Sequence, residues 1–289
     1  MQLLRLCVWL ALLAAIFVPL ERLFALRPAR IFSRRTAGDI GFYFLSSLLP
    51  GFLLALPMAV LAMAMHRLMP DSVLATTAAL PFWARGALVL VVGEIGFYWG
   101  HRWSHEIPFL WRFHAVHHAP EHLSFLCNTR AHPVDEVFTR LCGLVLIYAT
   151  GLAHNTQGHA DLLPMLWVLF GTIWGFVLHA NVRWRLGPLE WVLATPAFHH
   201  WHHTNDEHRD HNYASTLPVL DRLFGTHYLP KSWPPSYGID AKLPEGFVGQ
   251  IVQPLTKPGY GLITQPPARA TETADESFPA APISGTQPG

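Results

Sequence analysis

The chain has 289 residues, of which 51% are hydrophobic and only 13% charged, and its formal net charge is +1. A soluble domain of average composition carries about 25% charged residues, so this is the composition of a membrane protein, and the near-zero charge gives no electrostatic case for a nucleic-acid partner. Cys7, Cys127 and Cys142 lie far apart without CxxC spacing, which excludes the usual thiolate zinc and redox motifs.

Five apolar stretches approach the roughly 20 residues that a helix needs to cross a bilayer core. They run from Leu3 to Leu20, Ile40 to Met65, Phe82 to Gly100, Phe138 to Leu152 and Leu162 to Ala180. The first resembles a secretion signal, because Arg5 precedes the apolar run. No small-residue cleavage site follows, and Glu21, Arg22 and a basic stretch to Arg35 come instead, so a retained helix is expected. The second contains Pro50 and Pro57, which either kink it or divide it into a re-entrant pair. The fourth is short.

Lys and Arg are enriched in cytoplasmic loops. Arg22, Arg27, Arg30, Arg34 and Arg35 lie between the first two stretches, whereas residues 151–163 hold no Lys or Arg. Counting crossings from a cytoplasmic first loop brings the chain to the cytoplasmic side at His101, away after Phe138 and back near His179. The same count sends His66, His154 and His159 to the far side. The segment from Asn181 to about Pro254 is polar and rich in Trp, Pro and Tyr, as expected of a cytoplasmic helical cap against the membrane surface. From about Thr264 the composition predicts disorder. The expected architecture is all-α: a polytopic transmembrane bundle whose cap carries a histidine-rich dimetal site. Its parts are N-terminal helices at 1–92, a catalytic domain at 93–254 and a tail at 255–289.

The histidines fall into spaced groups. His101 and His105 follow the third stretch; His114, His117 and His118 precede Pro120; His199, His202 and His203 follow Thr195 and Pro196, a helix-start signature. Positions three and four apart share a helical face, so each group is expected to aim several imidazoles at one point. His179 ends the fifth stretch on the same side. His132, in Arg130-Ala131-His132-Pro133, stands where a helix begins; it is either a cap or a ligand and is counted with the ligands. His200 projects about 100° from His199 and is read as a residue that either supports the ligand rings from outside or packs. His122, His208, His211 and His227 lack this spacing. Asp210, Asn212, Tyr213 and Asp221, with Glu94, Glu106, Asp135 and Glu136 as rivals, are candidates to orient the rings through their outer nitrogens.

Imidazole suits zinc, copper, iron and nickel. Zinc is satisfied by four ligands, three of them protein groups in catalytic sites, so eight to ten convergent histidines point to two ions. Phe109 stands where a His-Glu-x-x-His motif starting at His105 needs its second histidine, which disfavours a zincin protease. The absence of Glu-x-x-His argues against a carboxylate di-iron bundle.

The set His-x-x-x-His (His101, His105), His-x-x-His-His (His114 to His118 and His199 to His203), Arg-x-His-Pro (Arg130 to Pro133) and Asn212-Tyr213 resembles the fatty acid hydroxylase and sterol desaturase superfamily, from about Gly93 to Tyr228. The resemblance implies two non-haem irons held by His101, His105, His114, His117, His118, His179, His199, His202 and His203, with His132 beside them. It also implies attack on an unactivated C–H bond of a lipid, giving an alcohol or an alkene. Dioxygen and electrons from an external donor, such as a cytochrome b5-like protein, a ferredoxin or a reductase, would supply the oxidant. The fatty acid 2-hydroxylase branch carries a further His-x-x-x-His pair, and here Gly175 stands four residues before His179. The aromatics Phe97, Tyr98, Trp99, Trp103, Phe109, Trp111 and Phe113 flank the first two groups as packing or anchor residues, with one or two lining a lipid channel. Two rival readings are a metal-binding or metal-transport protein, whose sites lie near the bilayer midplane, and a b-type haem carrier, which leaves most of the set unexplained.

Overall fold

A computed structural model describes residues 1–30, 33–154, 162–244 and 246–256. The position of His159 and the tail beyond Thr256 lie outside the described residues. The described chain forms α1 (Gln2–Leu23), α2 (Arg34–Leu68), α3 (Asp71–Ala79), α4 (Phe82–Glu106), α5 (Pro108–His118), α6 (Pro133–Ala149), α7 (Leu162–His179), α8 (Pro196–His202), α9 (Val219–Leu223) and α10 (Phe247–Thr256). Two isolated bridges, Ala25 with Val182 and Thr204 with Tyr237, are the β pairing among the described residues.

Helices α1, α2, α4 and α7 are long and apolar enough to cross a membrane, and large apolar side chains such as Ile16, Phe52, Leu56, Leu169 and Ile173 stand exposed on them. The chain is a multi-pass membrane protein. Pro50 and Pro57 both lie inside α2, whose 35 residues form one helix rather than a re-entrant pair. At 1.5 Å per residue α2 is about 52 Å long, well beyond a bilayer core. The fourth stretch becomes the 17-residue α6, about 25 Å long, which carries the chain away from the histidines so that α7 can return to them.

Without water, helices in a bilayer associate by close packing, and small residues let backbones approach. Gly93, Gly96 and Gly100 give α4 such a stripe. A Cβ at Gly96 would fall 2.3 Å from the Cys142 carbonyl oxygen, and one at Gly143 would fall 2.2 Å from the Trp167 ring. The α4–α6 contact therefore fixes the end of α4 that carries His101 and His105.

Buried carboxylates tie the cap to the spans. Glu94, inside α4, accepts from Thr216 N (2.6 Å) and the Ser215 hydroxyl (3.0 Å). Glu21, near the end of α1, accepts from Phe125 N (2.7 Å) and Asn181 N (3.0 Å). In apolar surroundings these carboxyl groups are tolerated because backbone donors satisfy them. The Arg27 guanidinium lies 4.2 Å over the Tyr237 ring, so the basic α1–α2 loop packs on the cap.

His66 and His154 stack at 5.6 Å, and Arg85, in the first turn of α4, donates to the His154 carbonyl. His101 lies 16 residues further along α4, about 24 Å away. Both histidines therefore sit at the opposite end of α4 from His101.

Candidate metal centre

Nine histidines, all buried, converge in two groups. One contains His101, His105, His114, His118 and His202; the other contains His117, His179, His199 and His203; within each, the candidate ligand nitrogens lie within 4.8 Å of one another. The groups adjoin where the His118 and His203 rings stack at 4.4 Å.

The partition cuts across the sequence motifs. In each His-x-x-His-His the first and last rings, four residues apart, join one group and the middle ring joins the other: His114 and His118 against His117, and His199 and His203 against His202. The motifs are crossed, so each ion position takes a pair from one and a single ring from the other. Helical geometry explains this, because residues i and i+4 are about 40° apart around the axis, whereas i+3 and i+4 are about 100° apart. The expectation that each sequence group serves one point is corrected accordingly.

The Nε2 atoms face inward. His114 Nε2 lies 3.2 Å from that of His101 and 3.1 Å from that of His118. In the second group, His179 Nε2 lies 2.9 Å from that of His199 and 3.2 Å from those of His117 and His203. Two nitrogens bound about 2.1 Å from one ion are about 3.0 Å apart at 90° and about 3.4 Å apart at the tetrahedral angle. The observed edges, 2.9–3.2 Å, are of the spacing that nitrogens sharing one ion would take.

Six rings are oriented from outside. The Nδ1–H groups donate as follows: His101 to Tyr213 O (2.7 Å), His105 to Asp210 Oδ1 (3.1 Å), His114 to Asp135 Oδ2 (2.9 Å) and His117 to Arg130 O (3.1 Å). His179 donates to Gly175 O (2.8 Å) and His202 to His211 O (2.8 Å). Each such bond fixes the tautomer that leaves the Nε2 lone pair free. His105 Nε2 and His202 Nε2 are buried with no hydrogen-bond partner, a cost of about 1–3 kcal/mol each if nothing binds them. A cation at the focal point of the five-ring group, to which both belong, removes that cost, so the donor set fits metal.

Burial, reinforced by neighbouring imidazoles, pushes His117, His118, His199, His202 and His203 well below the ordinary imidazole range. The neutral ring is the ligand form.

His132 is not with the nine. Its Nδ1 accepts from Val134 N (3.2 Å) as the cap of α6, and its Nε2–H donates to Ile251 O (3.1 Å). Both nitrogens are spent, so the cap alternative replaces the ligand one. His200 is likewise occupied, by the Tyr237 hydroxyl (2.8 Å) and Ala180 O (3.1 Å). Among the carboxylates proposed to orient rings, Asp135 and Asp210 do so. Asp221 acts one step further out, accepting from Tyr213 N (2.7 Å) and Ala214 N (3.0 Å). Asn212, at φ 61°, accepts from Tyr228 N and donates to Phe198 O. Glu106 pairs with Arg102, and Glu136 with Arg140. Tyr213, one of the candidates, orients His101 through its backbone carbonyl, whereas the orienting carbonyls of Arg130, Gly175 and His211 escaped sequence reasoning because a backbone acceptor leaves no side-chain signature. The departure at Gly175 has a steric reason, since a Cβ there would fall 2.1 Å from Asn128 Oδ1.

A cavity of about 160 Å³ opens beside the centre, reached by His101 and His114 of one group and His117, His179 and His199 of the other. Of the flanking aromatics, Phe97 lines it. Tyr98 packs on Tyr213 and Phe224, Trp111 on His105, and Phe113 on His132; Trp103 and Phe109 are exposed.

The fatty acid hydroxylase family model matches residues 86–226, which contain all nine rings. The chain is 36% identical to the ornithine lipid hydroxylase OlsE of Rhizobium tropici over 175 residues, 60% of this chain and 50% of that protein. It is 29% identical to the alkylglycerol monooxygenase of Xenopus tropicalis over 147 residues, 50% of this chain and 31% of that one. The methylsterol monooxygenase 2-2 of Arabidopsis thaliana is 27% identical over 153 residues, 51% of this chain and 55% of its own length. The match thus spans half or less of the first two relatives. No solved structure matches.

Proposed function

The chain belongs, through residues 86–226, to the fatty acid hydroxylase and sterol desaturase superfamily, and we propose that it is a membrane-bound oxygenase that hydroxylates a C–H bond of a lipid with two histidine-bound irons. The observation that carries this reading is the pair of buried all-imidazole groups, of five and four rings, on one cavity. His101, His105, His114, His118 and His202 would hold one iron and His117, His179, His199 and His203 the other, without His132. When bound, the irons supply the dioxygen chemistry that an aliphatic C–H bond requires and side chains lack. In the balanced reaction one oxygen atom enters the C–H bond, and the other leaves as water with two electrons and two protons from an external donor.

The protein's own part is to position and to exclude. Asp135, Asp210 and four carbonyls hold the rings, and Phe97, Trp167 and Phe170 furnish apolar wall where the substrate enters from between the helices. The centre faces the cytoplasm in this proposal. In support, the arginine-bearing α1–α2 loop packs on the same cap as the histidines, and such loops are retained inside.

The test is purified protein assayed for metal and turnover. About two irons per chain, with oxygen- and reductant-dependent gain of one oxygen atom in a lipid, is the expected result. Metal flux without turnover would favour the transport reading instead.

A further inference from the structure

Four ionisable side chains other than histidine line the cavity: Glu94, Asp135, Glu136 and Arg140. Two are committed, Glu94 to the cap backbone at Thr216 and Asp135 to His114 and Ser104. Glu136 and Arg140 pair with each other, Nη2 to Oε1 at 2.6 Å. They stand one and two turns into α6, about 4.5 and 10.5 Å from its start. A buried charge is costly unless it is fully paired and hydrogen-bonded. The pair is incomplete. Glu136 Oε2 is buried with no hydrogen-bond partner, and the Ser46 hydroxyl beside it is spent on Thr129 O (2.9 Å). The Arg140 side chain keeps 24% exposure and has further N–H groups to give.

The volume argues in the same direction. At about 160 Å³ the cavity is in the class that holds a benzene-sized guest of about six heavy atoms. A bare methylene run there would leave Glu136 Oε2 unsatisfied.

Resting on the oxygenase reading above, we propose that the cavity takes its lipid by the polar end. A hydroxyl or ammonium group donates to Glu136 Oε2, an ester, carboxyl or phosphate oxygen accepts from Arg140, and the carbon that gains oxygen lies within a few bonds of those groups. Glu136 and Arg140 are then positioning residues that select where the oxygen goes, and the acyl tails stay among the helices and the surrounding lipid.

The experiment is tandem mass spectrometry of total polar lipid from cells expressing the full chain, with His202→Ala as the blank, followed by kinetics of the purified protein on the modified lipid. The added oxygen is expected on the head-group or glycerol fragment. Glu136→Gln and Arg140→Gln are each expected to raise KM at least tenfold, with iron content unchanged and kcat within about threefold. Oxygen on a fatty acyl fragment overturns the inference while leaving the oxygenase reading intact, and so do variants that keep the wild-type KM. An iron-loaded wild type that oxidises no lipid sinks both. If the variants fail to accumulate, the position of oxygen in the wild-type product still decides.

Discussion

The Nδ1–H of His114 donates to Oδ2 of Asp135 at 2.9 Å, while the Ser104 hydroxyl donates to the other oxygen at 3.0 Å. Asp135 is buried, whereas Asp210, which does the same for His105, has a side chain 55% exposed. Outer partners of metal-bound histidines are worth about 10–100-fold in metal affinity, and solvent screens exposed ones. Asp135→Asn is therefore expected to lower iron retention about 10- to 100-fold in a chelator competition, and Asp210→Asn by less. Equal losses would show that burial does not set the strength of these bonds.

Metal stoichiometry separates the two groups. His202→Ala removes a ring from the five-membered group and His199→Ala one from the four-membered group, and both are expected to abolish turnover. His132→Ala is expected to keep full iron and lose only cap stability, about 0.5–2 kcal/mol, and His154→Ala to change neither. Elemental analysis of the four variants reads this directly, and iron loss in His132→Ala would return that residue to the ligand set.

Close helix packing sets the position of the first two ligands. An alanine at Gly96 places a Cβ 2.3 Å from the Cys142 carbonyl oxygen, and backbone cannot swing away as a side chain can. Gly96→Ala is expected to cost about 1–3 kcal/mol and to lower iron occupancy together with melting temperature. Gly38→Ala, inside α2 and meeting nothing within 4 Å, is the matched control and should leave iron occupancy unchanged with the melting temperature equal or slightly raised.

Stability should fall in acid. Burial pushes His200 down to about 3 and pushes His118 and His203 well below the ordinary range, while the unfolded chain titrates near 6.5. Below that value the unfolded state binds more protons than the folded one, so stability is full above about pH 6.5 and declines as pH drops toward the folded values. Each such ring costs up to about 1.4 kcal/mol per pH unit. Melting temperature in detergent from pH 8 to pH 5 should be flat above the imidazole range and drop steeply below it. A flat profile down to pH 5 would mean that the rings protonate freely in the folded protein.

What the chain dictates by itself is whatever depends on near neighbours. Apolar runs of membrane-crossing length, the Thr195-Pro196 helix start and the four-residue spacing of His101 and His105 are local, and so is the loop asymmetry that separates His154 from the ligands. The tertiary structure decided what depends on partners distant in sequence. The crossed assignment of His117 and His202 arises because two helices meet at one pair of points. The second His132 nitrogen is occupied by Ile251 on α10, and the ring-orienting carbonyls of Arg130 and Tyr213 belong to every residue alike. Glu136 reads as an ordinary acid in the first turn of a helix, and only packing against α4 and α7 turns it into the wall of a cavity beside the rings. Hydrogen bonds to backbone and the shape of empty space carry no residue-type signature, so no sequence pattern could have announced them.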